Sequence, residues 1–140
     1  MLASVIAAAA AIGFLKWRAS EQQLALETDI SACQRGSAPA CDKLRRGCAK
    51  KSGGACRALA EAYLEGRGVP KNVAEGARYL EQACTYRQGS ACTRLARLLQ
   101  GDNRSAQNAA RVRDLFERGC LLDDAEACAA QSTAPPGASR

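Results

Sequence analysis

Residues 48–92 read CAKKSGGACRALAEAYLEGRGVPKNVAEGARYLEQACTYRQGSAC, and this stretch decides the fold. It opens on Cys48/Cys56 and closes on Cys84/Cys92, each pair enclosing seven residues. Between the pairs lie two segments of helical spacing. The first, Ala55 to Glu65, places Cys56, Leu59, Ala60 and Tyr63 on one face. Gly66-Arg67-Gly68-Val69-Pro70 breaks it, and Asn72 is a cap for the next helix. That second helix spans about Val73 to Tyr86, with Ala74, Ala77, Leu80 and Cys84 inward and Tyr79 at the border of the core.

Outward from this unit the pattern recurs. Cys33/Cys41 and Cys120/Cys128 have the same C-x7-C spacing, and Cys48 to Cys84 equals Cys84 to Cys120 (84 − 48 and 120 − 84, both 36). A period of this size marks stacked repeats that share one continuous core. The second copy matches the first residue by residue: Gly53 with Gly89, Ala55 with Ala91, Leu59 with Leu95, Ala60 with Ala96, Asn72 with Asn108, Ala74 with Ala110. Its helices are expected at about Ser90 to Gln100 and Ser105 to Leu121. A third copy stops after one short helix near Ala130. Upstream, residues 19–34 read as a helix with Leu24, Leu26, Ile30 and Cys33 inward. A short helix from Pro39 to Lys50 then carries both Cys41 and Cys48 on one face, one stapling backward and one forward. Here the regular spacing fails, and this end reads as a capping variant of the repeat.

Two cysteines eight apart on one continuous helix stand about 12 Å apart along its axis, too far for a disulfide, whose Cα atoms lie within about 7 Å. The chain must turn between them. Arg35-Gly36-Ser37, Ser52-Gly53-Gly54, Gln88-Gly89-Ser90 and Asp123-Asp124 supply turn residues, glycine to end one helix in a left-handed conformation and Ser or Asp to cap the next. The reading favours four local disulfides over metal-bound or free thiols. Zinc sites usually bring cysteines two to four residues apart, often with histidine, and this chain has none. Disulfides imply an oxidising compartment. A redox role fits poorly, because catalytic dithiols usually sit two residues apart.

Composition sets further bounds. A chain of 140 residues with 4% aromatic content has room for one small domain with a core of small side chains, which gains much from covalent staples. Residues 1–15, MLASVIAAAAAIGFL, are uncharged and mostly apolar, with Lys16, Trp17 and Arg18 following. As a helix this run reaches about 22 Å, short of the roughly 30 Å hydrocarbon core of a bilayer. Residues 1–18 therefore read as a signal or membrane-anchor segment, an uncleaved anchor ranking ahead of a cleaved signal. The competing reading is a short buried helix of a cytosolic protein. The net charge of +6 is rich in arginine, but no aromatic residues alternate with the basic ones to stack bases, so no nucleic-acid partner is expected. Residues 132–140, with Pro135-Pro136-Gly137, read as a disordered tail.

Residues 55–84, ACRALAEAYLEGRGVPKNVAEGARYLEQAC, closely resemble a Sel-1-like repeat, a relative of the tetratricopeptide repeat. Leu59-Ala60 and Tyr63, Gly66, Gly68 and Val69, and the Ala-Cys ahead of the next unit carry the likeness. The C-x7-C pairs on a 36-residue period resemble the cysteine-rich secreted subgroup typified by the Helicobacter cysteine-rich proteins. The second unit departs from the pattern, with Asp102, Arg104 and Ser105 in place of Gly66, Gly68 and Val69, and Arg113 in place of Ala77.

The resemblance implies an all-α, short right-handed solenoid of antiparallel helix pairs over residues 19–131, its leading helices lining a concave face. It also implies an exported or membrane-anchored adaptor in the periplasm, cell envelope or outside the cell, binding a protein or peptide. On the leading helices the polar positions Arg57, Glu61, Arg94 and Arg97 are the expected contact residues, suited to a segment bearing carboxylates. The alternative implied by the subgroup is a β-lactam-binding or β-lactamase-type hydrolase. No Ser-x-x-Lys is present, Lys51-Ser52-Gly53 only echoes a Lys-Ser/Thr-Gly element in an interhelical turn, and no histidine serves as a general base. No catalytic residue, cofactor or metal is assigned.

Overall fold

The computed structural model describes residues 2–101 and 106–132. Seven helices follow in chain order: α1 (Leu2–Gln34), α2 (Ala38–Ala49), α3 (Gly53–Glu65), α4 (Val73–Thr85), α5 (Gly89–Gly101), α6 (Ala106–Leu121) and α7 (Ala125–Ser132). Among the described residues there is no strand. Each helix packs chiefly on its sequence neighbours, α3 against α4 and α5 against α6 most closely. The chain is thus a short solenoid of antiparallel helix pairs.

The helix starts and stops follow from the side chains available. Pro39 occupies the first turn of α2, where its missing N–H costs nothing. The Ser52 hydroxyl accepts from the Ala55 N–H at the start of α3, and Asn72 accepts from the Glu75 N–H at the start of α4. Gly66, at φ 75°, ends α3 in the left-handed region that favours glycine. Asp124 accepts from the Ala127 N–H at the start of α7.

The core is built mainly of small and medium side chains, with Tyr79 and Phe116 as its large members. Cys33, Leu44, Leu59, Leu80 and Leu115 are almost fully enclosed, with Ala55, Ala60, Ala91 and Ala96 between them. Alanine lets neighbouring helices approach closely, and the cysteines take the place of bulkier residues. At the C-terminal end the apolar pattern stops. Gln131 and Ser132, 36 positions after Leu95 and Ala96, are polar and exposed, so α7 lacks the buried Leu-Ala pair of α3 and α5.

All eight cysteines are paired as nearest neighbours, Cys33–Cys41, Cys48–Cys56, Cys84–Cys92 and Cys120–Cys128. Cα–Cα separations are 4.6 to 4.9 Å, within the normal range. Each links the end of one helix to the start of the next.

Several expectations are corrected. Leu24, read as inward, is 70% exposed, because at about 100° per residue it lies roughly opposite Leu26 and Cys33 around α1. Ala74 lies in the exposed first turn of α4, and Ala77 is only half-buried. Tyr79 is buried, not at the border, stacked on Tyr63 with ring centroids 5.6 Å apart. The helix begun at residue 19 is the continuation of one that starts at Leu2.

The glycines of the stapled turns also act differently from the expectation. Only Gly36, at φ 95°, ends its helix in the left-handed region. In the other turns Lys51, Arg87 and Asp123 take that conformation, at φ 66°, 65° and 62°, while Gly53 and Gly89 begin the following helix. The second turn, with Asp102, Arg104 and Ser105, lies outside the described residues, as does the tail beyond Ser132.

Candidate functional site

The leading helices α3, α5 and α7 follow one another along one side of the stack, and α4 and α6 along the other. Ion pairs join neighbours on each side. Arg94 of α5 donates from Nε to Glu61 of α3 at 3.1 Å. Arg97 of α5 donates from Nε to Glu126 of α7 at 2.9 Å. On the opposite side, Arg111 of α6 pairs with Glu81 of α4.

The four residues expected to contact a partner therefore fare differently. Glu61 and Arg94 are brought together and bind each other. Arg97 is also engaged: its guanidinium carbon stands 5.4 Å from the Phe116 ring centroid as well as reaching Glu126. Arg57 joins neither pair. Its Nε is enclosed without a hydrogen-bond partner among the described residues, though the side chain as a whole is half-buried. The face carries charge in internal pairs instead of a free row of arginines.

Beside Arg97 a groove of about 360 Å³ opens between α5, α6 and α7. Val112 and Phe116 form its apolar floor, and Arg97, Arg113, Glu117 and Gln131 line it. This combination can hold an apolar side chain while presenting a guanidinium to an adjacent carboxylate.

Sequence reasoning missed two features. Thr93, the one buried polar residue among the described residues, donates to Asp124 at 2.7 Å and so ties α5 to the start of α7. Near the α3–α4 pair, Arg45 donates to the Tyr63 hydroxyl at 3.2 Å, and Arg78 lies over the Tyr79 ring at 4.8 Å. The Tyr63 hydroxyl, with Asp42 adding to it, holds the Arg45 guanidinium above its ordinary pKa against the cost of burial. Tyr63 was visible as a core position, but its stacking on Tyr79 and its cationic partner are set by tertiary packing.

Ser52 of the Lys51-Ser52-Gly53 sequence is committed to capping α3. With every described cysteine in a disulfide, the described residues contain no cluster of three or more His, Cys, Asp or Glu placed to hold a metal ion. No helix among the described residues is long and apolar enough to cross a membrane.

A disulfide-stapled stack of helix pairs with paired charges along its leading helices defines a class of architecture. The Helicobacter pylori cysteine rich protein B has the same fold: it aligns with a TM-score of 0.60 at 22% identity, over 79% of this chain and 94% of that one. No family model matches the sequence, and no curated relative matches it. The likeness to cysteine rich protein B is one of fold, and it coincides with the repeat spacing and cysteine pattern read from the sequence.

Proposed function

We propose that this chain belongs to the cysteine-rich Sel-1-like group and is an exported scaffold that binds a peptide segment of another protein. Four disulfides support an oxidising compartment, since such bonds persist there and are rare in the cytosol. The solenoid occupies residues 19–131, and residues 1–18 tether it to a membrane. The exposure of Ile12, Leu15 and Trp17, each more than half open to solvent, supports a tether over a buried cytosolic helix.

Arg97 carries the binding reading. It stands at the rim of the groove floored by Val112 and Phe116, with a guanidinium that Glu126 holds only at the exposed surface. A partner segment places an apolar side chain on that floor and a carboxylate on Arg97, displacing Glu126.

The test is an array of peptides tiled from envelope proteins, followed by affinity measurements on the best binder. Arg97→Ala weakens it by about tenfold, in keeping with loss of one charge-assisted contact, and Glu126→Ala strengthens it by freeing Arg97. Affinity indifferent to both substitutions removes this face from consideration.

A further inference from the structure

We infer that the end of the solenoid bearing the Cys48–Cys56 and Cys84–Cys92 staples seats on an anionic lipid surface, held by Lys50, Lys51 and Arg87 together with Lys16 and Arg18 of α1. This rests on the tether proposed above and adds to it a lipid class and an orientation.

Topology brings these residues to one end. α1 runs down to Cys33, and α2 returns from Cys41 to Cys48. The α1–α2 turn is therefore at the far end, where the α3–α4 turn joins it: the Arg67 carbonyl oxygen lies 3.6 Å from Cys41 Sγ. The α2–α3, α4–α5 and α6–α7 turns are all at the near end. There Ala19, Gln22 and Leu26 of α1 share a groove with Lys50 and Ser52. Residues 2–18 project beyond it, about 25 Å of helix at 1.5 Å per residue.

The near end is unlike the helical bodies in its charge. Along the bodies most cations are paired, as in Lys43–Asp29, Arg78–Glu75, Arg94–Glu61 and Arg97–Glu126. Lys50, Lys51 and Arg87 are exposed and have no carboxylate partner among the described residues. Lys51 and Arg87 occupy equivalent left-handed positions at the apex of successive turns. Leu121, at 76% exposure, is on the same end.

The projecting helix continues the pattern. Phe14 and Trp17 have ring centroids 6.0 Å apart, and Arg18 covers the Phe14 ring at 5.5 Å. Aromatic rings and cations in that order suit the boundary between hydrocarbon and headgroups. Basic groups held at that level are attracted to anionic lipid. The third turn carries the opposite sign at Asp123, while Asp124 is occupied by Thr93 and the Ala127 N–H. The edge nearest α1 therefore meets the headgroups and the α7 end tilts away.

The experiment places the full chain with phosphatidylcholine vesicles, and with vesicles in which phosphatidylglycerol replaces part of that lipid. Flotation reports attachment. A membrane-impermeant amine-acylating reagent, read by mass spectrometry, reports the exposure of Lys50 and Lys51 relative to Lys71 at the far end. We expect flotation with both vesicles and about a fivefold fall in Lys50 and Lys51 acylation only with phosphatidylglycerol. Arg87→Gln reduces that protection without affecting flotation.

Flotation with lysines equally reactive on both vesicles overturns the seating and leaves the tether standing. Failure to float with either overturns the tether and the seating with it. Protection that Arg87→Gln leaves unchanged removes Arg87 from the contact.

Discussion

Gly53 lies so close under Tyr86 that a Cβ built on it stands 2.9 Å from the Tyr86 carbonyl oxygen. Gly89 repeats the relationship one unit later, its Cβ position 2.9 Å from the Leu122 carbonyl oxygen. The matched glycines are thus where one repeat presses on the next. Gly53→Ala is expected to cost about 1–3 kcal/mol through overpacking against backbone. Gly54→Ala, one residue on, where the nearest atom is Leu26 Cδ2 at 3.5 Å, costs less. Thermal unfolding of the two variants checks the ordering.

Each staple closes a loop of about nine residues, for which the chain-entropy model gives about 2–3 kcal/mol. Replacing Cys84 and Cys92 together by alanine lowers stability by about that amount. Reducing all four bridges removes a contribution comparable with the whole stability of a small domain. Denaturant unfolding with and without reductant measures both effects, and a reduced chain as stable as the oxidised one refutes the prediction.

Thr93 is 3% exposed and bonds Asp124 across the α5–α7 contact. Thr93→Val keeps the shape and removes the hydroxyl. The expected loss is about 1 kcal/mol, for one hydrogen bond to a part-buried carboxylate that keeps its bond from the Ala127 N–H. Thr93→Ser retains most of the stability, and the difference between the two variants isolates the hydrogen bond from the packing.

The Glu61–Arg94 pair has side-chain exposures of 20% and 48%. A double-mutant cycle with alanine at both positions gives a coupling of no more than about 1 kcal/mol, shrinking as salt is added. A larger coupling, insensitive to salt, contradicts this assignment.

The repeat was legible because its determinants are local and periodic. Leu59, Leu95 and the cysteines recur at one interval, and Ser52, Asn72 and Gly66 mark helix ends by chemistry that acts within a few residues. The charge pattern was not legible for the opposite reason. Arg94 meets Glu61 across 33 positions and Arg97 meets Glu126 across 29, neither of which is the repeat interval of the cysteines. A row of arginines in sequence therefore became a set of internal pairs. Leu24 misled because apolar character was read as inward although its spacing sets it about half a turn from the Leu26, Ile30 and Cys33 stripe. The left-handed residues at Lys51, Arg87 and Asp123 ran against the glycine rule because the nearby glycines serve close packing instead.

The two staples that share α2 have a mechanical consequence. Cys33–Cys41 and Cys48–Cys56 fasten both ends of that helix, and the later staples fasten α4 to α5 and α6 to α7. A pulling force applied along α1 passes through sulfur at every one of these turns and can lengthen none of them. Among the connections between helices, only α3 to α4 and α5 to α6 are left unbridged. Under load the four stapled turns keep their length, and extension falls on those two connections and on the unwinding of the helices between staples. A protease that nicks a stapled turn leaves its two sides attached.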